Sequence, residues 1–152
     1  ILIQIDGITI GKNIPISYRL KITRIDSMNI DLMNYVNGSF TGTKKSKTMK
    51  NINPATGEII ASIPLSGKED VDSAVEMAIN AQNSWAKISV EERAIYLDKI
   101  ADELEANIET IAKLESMDTG KPIKLARNVD AVRSVVNFRF FAEAVRRQPG
   151  GI

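Results

Sequence analysis

Cysteine and histidine are both absent from the 152 residues. Without them the chain has no thiol nucleophile, no Ser–His or Cys–His pair and no Cys/His zinc site. The redox compartment is equally unreadable, because cysteine usage is what reveals it. Glycine is sparse, at nine residues. None falls in the G-x-G-x-x-G or G-x-x-x-x-G-K-[ST] patterns that cradle phosphates. Aromatic side chains make up 5 % and there is one Trp, Trp85. No apolar run approaches the ~18 residues of a membrane-spanning helix, and no basic–apolar–small pattern marks a secretory signal. The net charge of +1 argues against nucleic-acid or membrane binding by the whole chain.

What is present falls into two textures. Residues 1 to 33 hold ten Ile but no Ala, Val or Glu, and the chain opens on Ile rather than Met. That leader is read as lying outside the domain, in a chain that is processed or incomplete. Its other reading is a short strand pair around Gly7, from the alternation Ile1, Ile3, Ile5 and Ile8, Ile10. The domain is expected to begin at Asn34 and run to Ile152.

Asn37-Gly38 in "NYVNGSF" suits a type I′ hairpin turn. "TGTKKSK" follows as a solvated loop. "NINPATGEIIASIPLSG", 51 to 67, reads as two strands around a turn built by Asn53-Pro54 and Thr56-Gly57. A helix then starts at Ser66 or Gly67 and runs to about Trp85, with Val71, Ala74, Val75, Ala78, Gln82 and Trp85 on one stripe. Ser89 and Glu92 form a capping box for a helix burying Ala94, Leu97, Ala101, Leu104 and Ile108. Asn107 can cap a further helix carrying Ile111, Ala112 and Leu114, so this stretch is one bent helix or two. Gly120 and Pro122 stop it.

The last helix, about Ile123 to Arg147, carries two apolar stripes. Leu125, Val129, Val132, Val136, Phe140 and Ala144 form one; Ala131, Ser134, Phe138, Phe141 and Val145 form another on nearly the opposite side. A helix apolar on two faces must be covered on both. The chain has residues enough to cover one, which predicts a partner surface outside it. Charges are lopsided too: seven basic against two acidic from Lys121 to Arg147, and five basic against twelve acidic from Lys68 to Met117. A solvated face, or pairing between the two helical segments, explains this better than a nucleic-acid surface around Arg139.

Two constellations suggest chemistry. Asp118-Thr119-Gly120 matches the aspartic-protease triplet, yet the residues before it continue a helix, so capping is the plainer role. Asp98 and Asp102, at i and i+4, place two carboxylates together; an acidic solvent face is the plainer reading.

Taken in series, "YVNGSF", "NPATGEIIASIPLSGKEDVDSAV" and "SWAKISVEERAIYLDKIADELEANIETIAKLESMDTGKP" resemble the beginning of the aldehyde dehydrogenase superfamily, from about Asn34 to Pro149. "ARNVDAVRSVVNFRFFAEAV" is most similar to the branch acting on 2-aminomuconic and 2-hydroxymuconic semialdehydes, with retinal-oxidising relatives. The resemblance implies an α/β fold: β-hairpins and long helices flanking a Rossmann-like cofactor domain whose core is missing here. It implies NAD(P)-dependent oxidation of an aldehyde to a carboxylate in a cytoplasmic homodimer or homotetramer. In the family a Cys thiolate attacks the aldehyde, hydride passes to nicotinamide and a Glu activates the hydrolytic water. Those residues and the cofactor loop follow the stretch matched here, so the resemblance makes this chain an N-terminal fragment, inactive alone, with no catalytic or NAD-contacting residue of its own. Some members hold a monovalent cation, which carries over to the carbonyls of Asn51 and Ile52 and the carboxylate of Asp118. Oxygen-only ligation suits a hard cation. Besides the enzyme fragment, a helical interaction module and a dimeric aspartic protease remain as readings.

Overall fold

The computed structural model describes residues 30–43 and 47–147. The strand pair expected around Gly7, and the middle of the "TGTKKSK" loop, lie outside the described residues. The chain divides into two compact units, residues 1–87 and 88–152.

The first unit is built on the expected hairpin. β4 (Thr48–Ile52) and β5 (Ile59–Pro64) pair antiparallel, with Asn51 opposite Ala61 and Ile52 opposite Ile59. One residue of β5, Ile60, is therefore extra, a β-bulge that bends the strand where its buried pair Ile60 and Ala61 sits. The connecting turn is held by Asn53: its side-chain oxygen accepts from the Ala55 amide at 2.9 Å and its carbonyl from the Gly57 amide at 2.8 Å. Gly57 has φ 76°, the left-handed region that Gly tolerates. β1 (Ile30–Asp31) runs parallel to β5 on its other side, and the Leu32 amide donates to the Ser62 carbonyl at 2.9 Å. Residues 30 to 32, grouped with the leader by composition, thus take part in the sheet.

β2 (Asn34–Val36) and β3 (Ser39–Thr41) form the second hairpin. Asn37 and Gly38 both have positive φ, 51° and 77°, as a type I′ turn requires. Tyr35 and Phe40 face each other across it, ring centroids 4.9 Å apart. α1 (Lys68–Trp85) follows with Gly67 at its N-cap, and the Asp70 carboxylate accepts from the Gly67 amide at 2.8 Å. The stripe expected along α1 is not buried: Val71 and Val75 are 54 % and 51 % exposed.

The second unit is three helical segments around a seam of alanines. α2 (Val90–Ala106) opens on the capping box: the Ser89 hydroxyl accepts from the Glu92 amide at 3.1 Å and the Glu92 carboxylate accepts from the Ser89 amide at 2.9 Å. Ala94, Ala101 and Leu104 are buried as the periodicity predicts. α3 (Ile108–Thr119) is a separate helix; Asn107 breaks the run and donates its side-chain amide to the Glu103 carbonyl at 2.8 Å. Gly120 ends it at φ 74°.

The last helix is continuous but not uniform. A three-residue turn, α4 (Ile123–Leu125), leads into a π-helical segment, Ala126–Ala131, and then α5 (Val132–Arg147). The buried line is Ala126, Ala131, Val135 and Ala142. Residues five apart would diverge by about 140° in a regular α-helix; the wider π turn keeps Ala126 and Ala131 on one face. Neither of the two stripes drawn from even periodicity coincides with this line. Val135 and Ala142 are buried, whereas Phe141 is 58 % exposed.

Candidate functional site

The basic residues of the last helix are turned toward the acidic helices before it. Arg146 donates to Asp98 at 2.6 Å and to Glu91 at 3.1 Å. Arg139 reaches Asp102 at 3.0 Å and also pairs with Glu105. Arg127 grips Glu109 through two nitrogens, at 2.7 and 2.9 Å. Residue numbers fall along one helix as they rise along its partner, so α2 and α5 run antiparallel. The two carboxylates considered as an acid–base pair, Asp98 and Asp102, serve different arginines instead. Arg139 is likewise engaged within the unit.

These contacts shift the groups in the sense ion pairing demands. Arg127, Arg139 and Arg146 are all raised, chiefly by hydrogen bonds to Glu109, Glu105 and Asp98 respectively. Glu109 is lowered by the Arg127 hydrogen bond, and Glu92 by the Ser89 amide and then its hydroxyl.

Sequence patterns gave no warning of one cluster. Lys121, just past the α3 stop, lies 2.9 Å from Glu115 and 2.8 Å from Asp130, clasping the end of α3 to the π-helical segment. Its hydrogen bonds to Asp130 and then Glu115 hold its ammonium above the usual lysine range. The pair Lys121–Asp130 spans nine residues across a helix break, a spacing no helical rule anticipates.

Asp118 sits in the last turn of α3, not on a β loop, which removes the setting an aspartic-protease triplet needs. Asn51 and Ile52 end β4, next to the bulge, in the first unit; Asp118 belongs to the second. Both Asn51 and Asp118 already have partners. Among the described residues no three His, Cys, Asp or Glu side chains gather as a metal group.

The helix starts are also informative about nucleotides. A dinucleotide's pyrophosphate binds free amides at a helix N-terminus. At α1 the Gly67 amide is taken by Asp70, and at α2 the Ser89 amide is taken by Glu92. In each case a carboxylate of the chain itself takes the N-cap amide.

Two apolar surfaces remain uncovered. In the first unit a groove of about 420 Å³ runs between the β2–β3 hairpin and α1, walled by Val36, Val71, Ala74 and Val75. The Tyr35 hydroxyl beside it is buried with no hydrogen-bond partner. In the second unit the outward stripe of the last helix is bare: Leu125 48 %, Val129 44 %, Val132 40 %, Val136 55 % and Phe140 64 % exposed. No helix among the described residues is long and apolar enough to cross a membrane.

Residues 40–152 match the model of the aldehyde dehydrogenase family. Aldehyde dehydrogenase B of Escherichia coli is 37 % identical over 119 residues, covering 78 % of this chain and 23 % of the relative. The 2-aminomuconic semialdehyde dehydrogenase of Mus musculus is 42 % identical over 113 residues, covering 74 % of this chain and 23 % of that protein. Among solved structures, the NAD⁺ complex of an aldehyde dehydrogenase from Bacillus cereus superposes with a TM-score of 0.76 at 34 % identity, over 80 % of this chain and 25 % of that one. The chain thus spans about a quarter of the length of the relatives it matches.

Proposed function

The chain belongs to the aldehyde dehydrogenase family, and from that premise we propose that it is the N-terminal part of an enzyme oxidising an aldehyde to a carboxylate with NAD or NADP. The observation that carries this reading is the family match over residues 40–152. Relatives named for 2-aminomuconic and 2-hydroxymuconic semialdehydes, at 42 % and 37 % identity, favour a muconic-type semialdehyde as substrate.

The chain by itself is inactive. Covalent aldehyde oxidation of the family type needs a thiolate, and there is no Cys in the sequence. The dinucleotide is held by family residues that follow the stretch matched here. The role of these residues is architectural: hairpins and an ion-paired helical layer against which the cofactor domain assembles. A monovalent cation on the carbonyls of Asn51 and Ile52 and the carboxylate of Asp118, assembly as a homodimer or homotetramer, and a cytoplasmic location complete the reading.

A second reading, a helical interaction module without activity, draws on the bare stripe of the last helix. Aldehyde-dependent NAD reduction separates the two. The 152-residue chain alone is expected to give none. Spliced into Escherichia coli aldehyde dehydrogenase B in place of the matching 119 residues, it is expected to support oxidation. A folded splice with no oxidation overturns the enzyme reading, and turnover by the chain alone overturns its inactivity.

A further inference from the structure

We propose that Asn37 is a self-modifying site: the Gly38 amide closes on its side chain, and the isoaspartate that results parts β2 from β3. Of all the asparagines in the chain, only Asn37 precedes a glycine. The others precede Ile, Val, Tyr, Phe, Ala or Ser, whose side chains crowd the following amide, or Pro, which has no amide hydrogen. Both residues of the pair are exposed. Outside the neighbouring residues, no atom lies within 4 Å of where a Gly38 side chain would begin. Among the described residues, neither the Asn37 side chain nor the Gly38 amide is held by a hydrogen bond.

The reaction needs only water. The Gly38 nitrogen bonds to Cγ of Asn37, the Cγ–Nδ2 bond breaks, and the displaced nitrogen leaves as ammonia with the amide proton. Nothing is oxidised or reduced. Water then opens the cyclic imide at either carbonyl. Opening at Cγ gives ordinary aspartate; opening at the main-chain carbonyl reroutes the backbone through Cβ and Cγ, as isoaspartate. Either product adds one negative charge.

The fold sets when this happens. Ring closure needs the Asn37 ψ to leave the value that a type I′ turn fixes, so the ring forms in the moments when the hairpin opens. A two-stranded ribbon is marginal in water. This one has three residue pairs, braced by Tyr35 against Phe40 at 4.9 Å. The chemistry then acts back on the fold. Aspartate followed by Gly still suits a type I′ turn. Isoaspartate adds a main-chain carbon to a two-residue loop between the paired Val36 and Ser39, and the pairing cannot close over it.

Storage of the 152-residue chain at physiological pH and temperature, followed by peptide mass mapping, tests this without reading activity. Conversion at Asn37 is expected to outrun that at Asn34 by about tenfold or more, a decade of rate for the freedom of the glycine that follows. Gly38→Ala is expected to slow it by a similar factor, even though Ala at φ 77° strains and loosens the turn. Phe40→Ala, which removes the brace, is expected to speed it. The isoaspartate fraction, separated by chromatography, is expected to lose the Tyr35–Phe40 ring contact in nuclear magnetic resonance spectra, while Asn37→Asp keeps it. Conversion at Asn37 no faster than at Asn34 overturns the inference. So does conversion of Gly38→Ala at the unsubstituted rate, or no acceleration in Phe40→Ala. An isoaspartate fraction whose rings stay in contact overturns it as well. Loss of the contact in Asn37→Asp would put the effect on charge instead of chain length, and also overturns it.

Discussion

Arg146 of α5 donates to the carboxylate of Asp98 on α2 at 2.6 Å, tying together residues 48 positions apart. Both side chains are partly sheltered, 24 % and 32 % exposed, and Glu91 adds a second carboxylate on the same guanidinium. Arg146→Met is expected to lower the denaturation midpoint of the second unit. Because screening acts within ~10 Å at 0.1 M salt, the gap to the unsubstituted chain should narrow as sodium chloride is added. A double-mutant cycle with Asp98→Asn reads the coupling directly; zero coupling would show the pair to be ornamental.

The α2 cap offers an independent check. Ser89→Ala removes the acceptor for the Glu92 amide and should cost about 0.5–2 kcal/mol. Ser89→Asp, which keeps an acceptor at the cap, should restore most of it. Urea denaturation followed by helical circular dichroism measures both.

The buried seam constrains volume in both directions. Leu104 is 3 % exposed, and Leu104→Ala should destabilise by about 2–5 kcal/mol through lost burial and the cavity left behind. Ala101 is fully buried, so Ala101→Leu should cost about 1–3 kcal/mol by overpacking. A neutral Ala101→Leu would mean the helices stand further apart than described.

Acid should weaken the second unit in a defined direction. Glu92 and Glu109 are held below their ordinary value of 4.5 in the folded chain. The native state therefore binds fewer protons than the unfolded chain, and this contribution to stability is complete above 4.5. It is lost as pH falls through the depressed folded values. Denaturation midpoints across about pH 3 to 6 should show an acid limb that flattens in the Glu92→Gln, Glu109→Gln double variant.

Local chemistry was legible in the sequence wherever one or two residues decide the backbone. Asn37-Gly38 announced a left-handed pair, Ser89 with Glu92 announced a helix start, and Gly120 announced a stop; all three stand as read. The lopsided charges of the later helices left a solvated face or mutual pairing open, and the structure shows the pairing. Less was legible where the chain pairs at a distance. Ile30–Asp31 joins β5 through main-chain hydrogen bonds that no side-chain pattern encodes. The buried line of the last helix falls on neither expected stripe, because a fixed 100° step was carried through a segment that does not keep it, and Val135 and Ala142 lay on neither. Of the proposed cation donors, sequence supplied the atoms; Asn51 and Ile52 in one unit and Asp118 in the other is information only the structure adds.

The wide turn at Ala126–Ala131 gives the last helix two angular phases joined at a seam. A single-residue deletion inside it would leave Ala126 and Ala131 four apart, a spacing a regular α-helix keeps on one face to within about 40°, whereas the same deletion further along α5 would swing one line against the other by about a quarter of a revolution. The wide turn is thus the place along the last helix where the loss of one residue can be absorbed by a return to regular α-helix.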